Sequence, residues 1–412
     1  MSAQPKKFKL FEVTGIELEY MVVDRDSLKV LPIVDKLFED VTGAIRSDVE
    51  RGDVEWSNEL VSHVVELKTA KPTKRIPSFR KKFGSEVKAI NAVLAKRNAM
   101  LLPTAAHPFM DPFTETVIWP HEYNEVYALY NRIFDCRGHG WSNLQSTHLN
   151  LPFANDDEFS KLHAAIRLLL PIIPALSASS PILDGKVTGF LDSRMQAYLH
   201  HQDKLPELMG SLIPEAVFSQ EEYYRTIFSP IAQAMAPYDT EHVMDHHFAN
   251  SRGAIARFDR GAIEIRVIDI QECPSADLAI AEMIVAVLKA LTSGRWVSTY
   301  LQRAWSEDDL LPLFLQVIKD AGNARIANRD YLLMFGRLKQ ERMTARELWQ
   351  LLFVELYGDL SEGCRQHMAH ILEHGCLASR ILARTGKKPT LDKIRSVYGE
   401  LASCLQEDRA FA

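Results

Sequence analysis

The chain has 412 residues, with 48 Lys and Arg against 54 Asp and Glu, a formal net charge of −6. Apolar residues are 47% and charged residues 25% of it, the balance of a globular protein with room for two or three domains or one large α+β unit. Mild acidity argues against nucleic acid as the main partner, which would want a basic face, but leaves room for a local basic pocket that takes a small anion. Alternation and β-formers predict a strand over residues 11–24, then a helix from residue 33 and extended structure over 54–69. Helical spacing covers 76–98 and 121–134, and alternation returns over 141–152. A long helix follows at 156–179, where Pro171 and Pro174 must kink or end it. Residues 220–235 read as helix and 254–270 as strand. Beyond them, 275–291, 307–321, 344–356, 361–383 and 391–407 all read as helices. Strands and helices mix through residue 270 without a βαβ rhythm, which predicts an α+β fold with a mainly antiparallel sheet rather than a doubly wound parallel one.

Three predicted strands share one design. In 15–24, Glu17 and Glu19 point to one face while Ile16, Leu18, Tyr20 and Val22 point to the other. In 146–152, Ser146, His148 and Asn150 oppose Leu149 and Leu151. In 262–269, Glu264 and Arg266 oppose Ile263, Ile265 and Val267. Glu59 and Glu66 add two carboxylates in a β-branched stretch, Glu66 next to Lys68, and Arg252, Arg257 and Arg260 form a local run of basic residues. Each segment alone fits either a solvated sheet face with local ion pairs or a ligand site. Together they place five carboxylates, one His and several Arg over one sheet. That composition suits two or three Mg²⁺ ions holding a triphosphate, since Mg²⁺ takes oxygen ligands plus substrate phosphates. Neither G-x-x-x-x-G-K-[ST] nor G-x-G-x-x-G occurs, so metals and arginines would have to hold the nucleotide. The stretch 177–194 is either a plain connection between helices or a pocket loop whose Lys186 or Arg194 meets an anion.

The five cysteines, Cys136, Cys273, Cys364, Cys376 and Cys404, include no C-x-x-C pair, which argues against a disulfide framework or zinc cluster and predicts a cytoplasmic protein. The start, MSAQPKKFKLFEV, lacks the apolar run of a secretory leader. The apolar stretches 164–183 and 278–291 carry Arg167 and prolines, and Glu282 and Lys289, so they read as buried helices and no membrane association is expected.

In order along the chain, G-x-E-x-E at 15–19, E-x₆-E at Glu59 and Glu66, H-x-N at 148–150, S-A-S-S-P…G-K-x-T-G…S-R over 177–194 and E-x-R-x-x-D at 264–269 resemble the second sequence group of the glutamate–cysteine ligase family. Some members have H-V-H-V where this chain has H-L-N-L, and some have Asp at the position of Glu59. The resemblance implies a glutamine-synthetase-like catalytic domain over 1–295, its sheet curved into a funnel with helices outside, and a helical region over 296–412 packed on it. It implies ligation of a carboxylate, glutamate first, to an amine, cysteine by default, through an acyl-phosphate, with ATP and Mg²⁺ required. Glu17, Glu19, Glu59, Glu66, His148 and Glu264 would be the metal ligands. Arg266 would meet the transferring phosphoryl group and Arg194 the carboxylate substrate or its phosphate, with Arg257, Arg266 and Lys186 on the nucleotide. Partners would be small molecules, with a homodimer as a candidate assembly. A phosphotransferase of the same fold acting on a guanidino or amino group, and a non-catalytic nucleotide-binding member, are the alternatives.

Overall fold

Residues 7–412 are described by the computed structural model. The N-terminal reading rests partly on residues 1–6, which lie outside the described residues. The strands up to residue 269, in chain order, are β1 (Gly15–Asp24), β2 (Asp48–Arg51), β3 (Val54–Asn58), β4 (Val64–Thr69), β5 (Ala99–Leu102), β6 (Ser146–Pro152), β7 (Ile182–Leu183), β8 (Lys186–Val187), β9 (Ala254–Arg257) and β10 (Ala262–Asp269). An eight-stranded sheet runs β2-β3-β4-β1-β6-β10-β9, with β5 paired to the far half of β1. Its named pairings are antiparallel, as the missing βαβ rhythm predicts.

The extended stretches 54–69 and 254–270 each fold as a hairpin rather than one strand. β3 and β4 pair with Ser57 opposite Glu66, and the loop between them is pinned where Trp119 N–H donates to the Leu60 carbonyl and Ser62 N–H to Val117. β9 and β10 turn at Gly261, whose φ of +65° favours glycine. The four-residue strands β2 and β5 escape prediction, being too short for alternation to register. Pro171 and Pro174 act as predicted: the helix Asp156–Leu169 ends in a 3₁₀ turn, Leu170–Ile172, and a short helix, Pro174–Ser177, restarts.

One sheet face is the core. Ile16, Leu18, Tyr20 and Val22 are all fully buried, and register sets Leu67 beside Leu18 and Leu149 beside Ile16. This face packs in one apolar cluster with the helices, including Pro274–Thr292, which is buried along almost its whole length. The other face changes character along β1. After Glu17 and Glu19 come Met21 and Val23, which join Leu102, Ile381, Ile394, Val397 and Leu401 in a second cluster. The helices Leu377–Thr385 and Leu391–Glu407 thus cover the apolar half of that face and leave the carboxylate half uncovered by this cluster. Among the described residues no helix is long and apolar enough to cross a membrane.

His63, His107 and His163 are buried, each with one ring nitrogen against a backbone carbonyl, of Ser142, Leu28 and Val217. Burial pushes them down to about 4, about 4 and about 3. Their folded forms therefore bind protons later than the unfolded chain does. The stability tied to them is complete above the ordinary value of 6.5 and is lost as pH falls from there toward 4. The urea midpoint is expected to drop steadily below pH 6.5. A flat midpoint down to pH 4.5 would mean that these rings carry charge in the folded state.

Candidate active site

The half of the second sheet face outside that apolar cluster collects the predicted residues by register. Glu17 lies opposite His148, Glu19 opposite Glu66, Ser57 opposite Glu66, and Glu264 opposite Asn150. Their side chains meet. His148 Nδ1 is 2.9 Å from Glu17 Oε2 and its Nε2 is 2.8 Å from Ser146 Oγ. Ser146 donates to Glu19 from its backbone N–H (2.7 Å) and its hydroxyl (2.9 Å), and Asn150 donates to Glu17 (3.0 Å). Ser57 donates to Glu66 at 2.6 Å, and Lys68 stands 3.5 Å from the same carboxylate while also pairing with Glu55 and Asp48. Arg266 pairs with Glu264 at 2.9 Å, and Arg257 approaches Glu264 at 3.9 Å.

Among the described residues, two groups have metal-site spacing. Ligand atoms of Glu17, Glu66 and His148 lie within 4.8 Å of one another, and so do those of Glu19, Glu59 and Glu66. The electrostatics show a surplus of negative charge. Burial raises Glu59 well above the carboxylate range, and the charges of Glu19 and Glu66 raise it further. Burial and the Glu17 charge drive Glu66 up to about 8, against the pull of Lys68 and Ser57. Burial also pushes Glu17 up, but the His148 hydrogen bond and charge outweigh it and bring Glu17 down to about 2. Burial opposes charge on His148, yet Glu19 and Glu17 raise it to about 9. Crowded buried carboxylates of this kind are stabilised by divalent cations, and the all-oxygen group Glu19, Glu59 and Glu66 fits Mg²⁺. A cation held by His148 would displace its proton.

The remaining predicted residues lie differently. Arg194 is buried and does not stand free on the face: Nε meets Asp269 at 2.5 Å and both terminal nitrogens donate to the Arg266 carbonyl at 3.3 Å. Lys186 is exposed on the β7–β8 hairpin, whose contacts run to Pro108, His139 and Leu391 rather than to the acidic face. In the basic run, Arg252 is buried against Glu215 at 2.5 Å, and Arg260 is 3.8 Å from Asp259.

Sequence reasoning missed an aromatic rim. The helix Asn124–Phe134 carries Tyr127, Tyr130 and Phe134 at i, i+3 and i+7. Tyr127 OH accepts from Asn58 beside Glu59, and Tyr130 OH donates to the Phe248 carbonyl near Arg257. Tyr130 and Phe134 pack on Trp141, which meets His201, which in turn stacks near Tyr198. The helix spans from the Glu59 end of the site to the Arg266 end. The only sequence signal for it was aromatic enrichment on a helix of unassigned role.

Residues 13–400 match the model of glutamate–cysteine ligase family 2. The chain belongs to that family. Among its relatives, an uncharacterized protein of Archaeoglobus fulgidus is 34% identical over 276 residues, 67% of this chain and 74% of its own length. A Corynebacterium glutamicum protein, provisionally named glutamate–cysteine ligase 2, is 23% identical over 366 residues, 87% of this chain and 86% of that one. In fold the chain is similar to the Francisella tularensis glutamate–cysteine ligase solved in complex with AMP, with a TM-score of 0.57, 11% identity and coverage of 98% of this chain and 91% of that one. It is also similar to a bifunctional glutathione synthetase of Pasteurella multocida, with a TM-score of 0.62, 11% identity and coverage of 97% and 53%. The α+β fold with its mainly antiparallel sheet is therefore that of glutamate–cysteine ligases, and the family is one of ligases of that type.

Proposed function

We propose that this family member joins a carboxylate to an amine at the expense of ATP, with glutamate as the acid and cysteine as the default amine. The observation that carries the reading is one sheet face on which two carboxylate groups share Glu66 and the Arg266 guanidinium stands beside Glu264. Glu17, Glu19, Glu59, Glu66, His148 and Glu264 would hold Mg²⁺, which would supply positive charge against the phosphates.

A carboxylate is a poor electrophile because it has no leaving group. Transfer of the γ-phosphoryl of ATP to its oxygen creates one, releasing ADP. The amine nitrogen then attacks the acyl carbon, and inorganic phosphate leaves as the amide forms. Arg266 would neutralise charge on the transferring phosphoryl group, with Arg257 near the same Glu264 carboxylate. Ser146 and Asn150 hold Glu19 and Glu17 in place, so the acidic face is oriented before substrates arrive. The rim of Tyr127, Tyr130 and Trp141 would keep water from the acyl-phosphate. We further propose that residues 296–412 serve this site from outside, as packing for the sheet.

The test is ADP release by the purified protein with ATP, Mg²⁺ and glutamate across a panel of amines that includes cysteine. Stimulation by one amine, with an amide product, is the expected result. A stable phosphorylated amine would replace ligation with phosphotransfer. ATP binding with no turnover across acids and amines would leave a nucleotide-binding protein.

A further inference from the structure

We infer that Arg194 is a positioning residue: through its ion pair with Asp269 it holds the backbone of Arg266 and so sets where the Arg266 guanidinium stands. The inference rests on the phosphoryl-transfer reading of Arg266.

The geometry begins with an irregularity in β10. Ile265 lies opposite Leu149 and Ile268 opposite Thr147, so Arg266 and Val267 together oppose the single residue His148. That bulge has two effects. It interrupts the ladder at Arg266, whose carbonyl is taken by Arg194 Nη1 and Nη2 while its N–H donates to the Gly253 carbonyl. It also reverses the alternation beyond it. In a regular strand Asp269 would share a face with Ile265 and Val267. After the bulge it lies opposite Ser146, on the face that carries Glu19.

Asp269 is then completely surrounded. It is fully buried and accepts from Arg194 Nε at 2.5 Å, Ser179 N–H at 2.8 Å and Ser180 Oγ at 3.0 Å. Ser180 Oγ also accepts from the Arg194 N–H at 3.0 Å, and Asp192 caps the short helix that presents Arg194. Two motifs far apart in sequence, S-A-S-S-P…S-R and E-x-R-x-x-D, therefore meet in one device. Its output is the Arg266 carbonyl. A planar guanidinium is required, because one group must meet a carboxylate with Nε and a carbonyl with both terminal nitrogens.

The test is steady-state kinetics of the full chain with Mg·ATP, glutamate and the active amine, for Arg194→Lys, Arg266→Lys and the double variant, with melting measured alongside. Arg194→Lys is expected to lower kcat by roughly 10- to 100-fold with KM for glutamate and ATP held within about twofold. Combined with Arg266→Lys it should cost little more than Arg266→Lys alone, because it acts through that residue. A KM for glutamate raised about tenfold with kcat kept would make Arg194 a substrate contact and overturn the inference. Multiplying losses in the double variant would overturn it too, as would an unchanged kcat in a folded Arg194→Lys. If Arg194→Lys does not fold, Ser180→Ala carries the same cycle, with an expected kcat loss of about threefold as its hydroxyl's two hydrogen bonds, to Asp269 and from the Arg194 N–H, are lost. Wild-type turnover in Arg266→Lys would instead sink the phosphoryl-transfer reading itself, an outcome told apart because it appears without any change at Arg194.

Discussion

Arg266→Lys is expected to lower kcat for ADP release by roughly a thousandfold, the scale of an arginine that stabilises a transferring phosphoryl group. Lysine keeps the charge, so Glu264 retains a cationic partner and the fold should be undisturbed. What is lost is the planar fork that can meet two phosphate oxygens while Nε stays on Glu264. The side chain is 30% exposed, so truncating its tip removes little packing. Initial rates at saturating Mg·ATP, with a melting curve on the same sample, decide the matter. A variant that melts like wild type and turns over within about threefold of it would remove Arg266 from the chemistry.

Glu66→Gln is expected to raise the Mg²⁺ concentration needed for half-maximal turnover by at least about tenfold, since Glu66 belongs to both candidate metal groups. The same variant should be more stable than wild type when metal is chelated at alkaline pH. The folded pKa of Glu66 is raised, to about 8 from an ordinary 4.5, mainly by burial and then by Glu17. An acid shifted upward loses stability as pH rises through the window from 4.5 to about 8, because the folded state must give up a proton it holds more tightly. Glutamine has no such proton. The two proteins should melt together near pH 5 and separate above pH 8, with the variant higher. Lys68 retains Glu55 and Asp48, so the substitution does not strand a cation. A variant that melts lower at every pH and keeps the wild-type Mg²⁺ requirement would make Glu66 a structural carboxylate. A gain in stability with a loss in function is the pattern of a site strained for ligand binding.

The acidic-face residues on β1, β6 and β10 were legible because they sit on strands. A period of two is enough to say that Glu17 and Glu19 share a face, that His148 and Asn150 share another, and that Glu264 and Arg266 share a third. It also marks where the site ends, since the same face of β1 turns from Glu19 to Met21 and Val23. Glu59 was harder, because it leaves β3 for a loop whose position depends on Trp119 and Val117, more than fifty residues away. The hairpins within 54–69 and 254–270 were hidden for a related reason: local pattern reports extended backbone but not where the chain reverses.

Residue types and alternation were thus enough to establish an antiparallel sheet with one apolar and one acidic face, since side-chain direction along a strand is a local property. Register between strands is not local. That Glu17 meets His148, that Glu66 belongs to both ligand groups, and that Tyr127 of an aromatic helix meets Asn58 beside Glu59 are decided by pairings across tens to hundreds of residues. The bulge at Arg266 shows the difference most plainly. One extra residue in β10, invisible to any alternation count, turns Asp269 to the site face and hands it Arg194, because in a pleated sheet a single inserted residue reverses the direction of every side chain that follows.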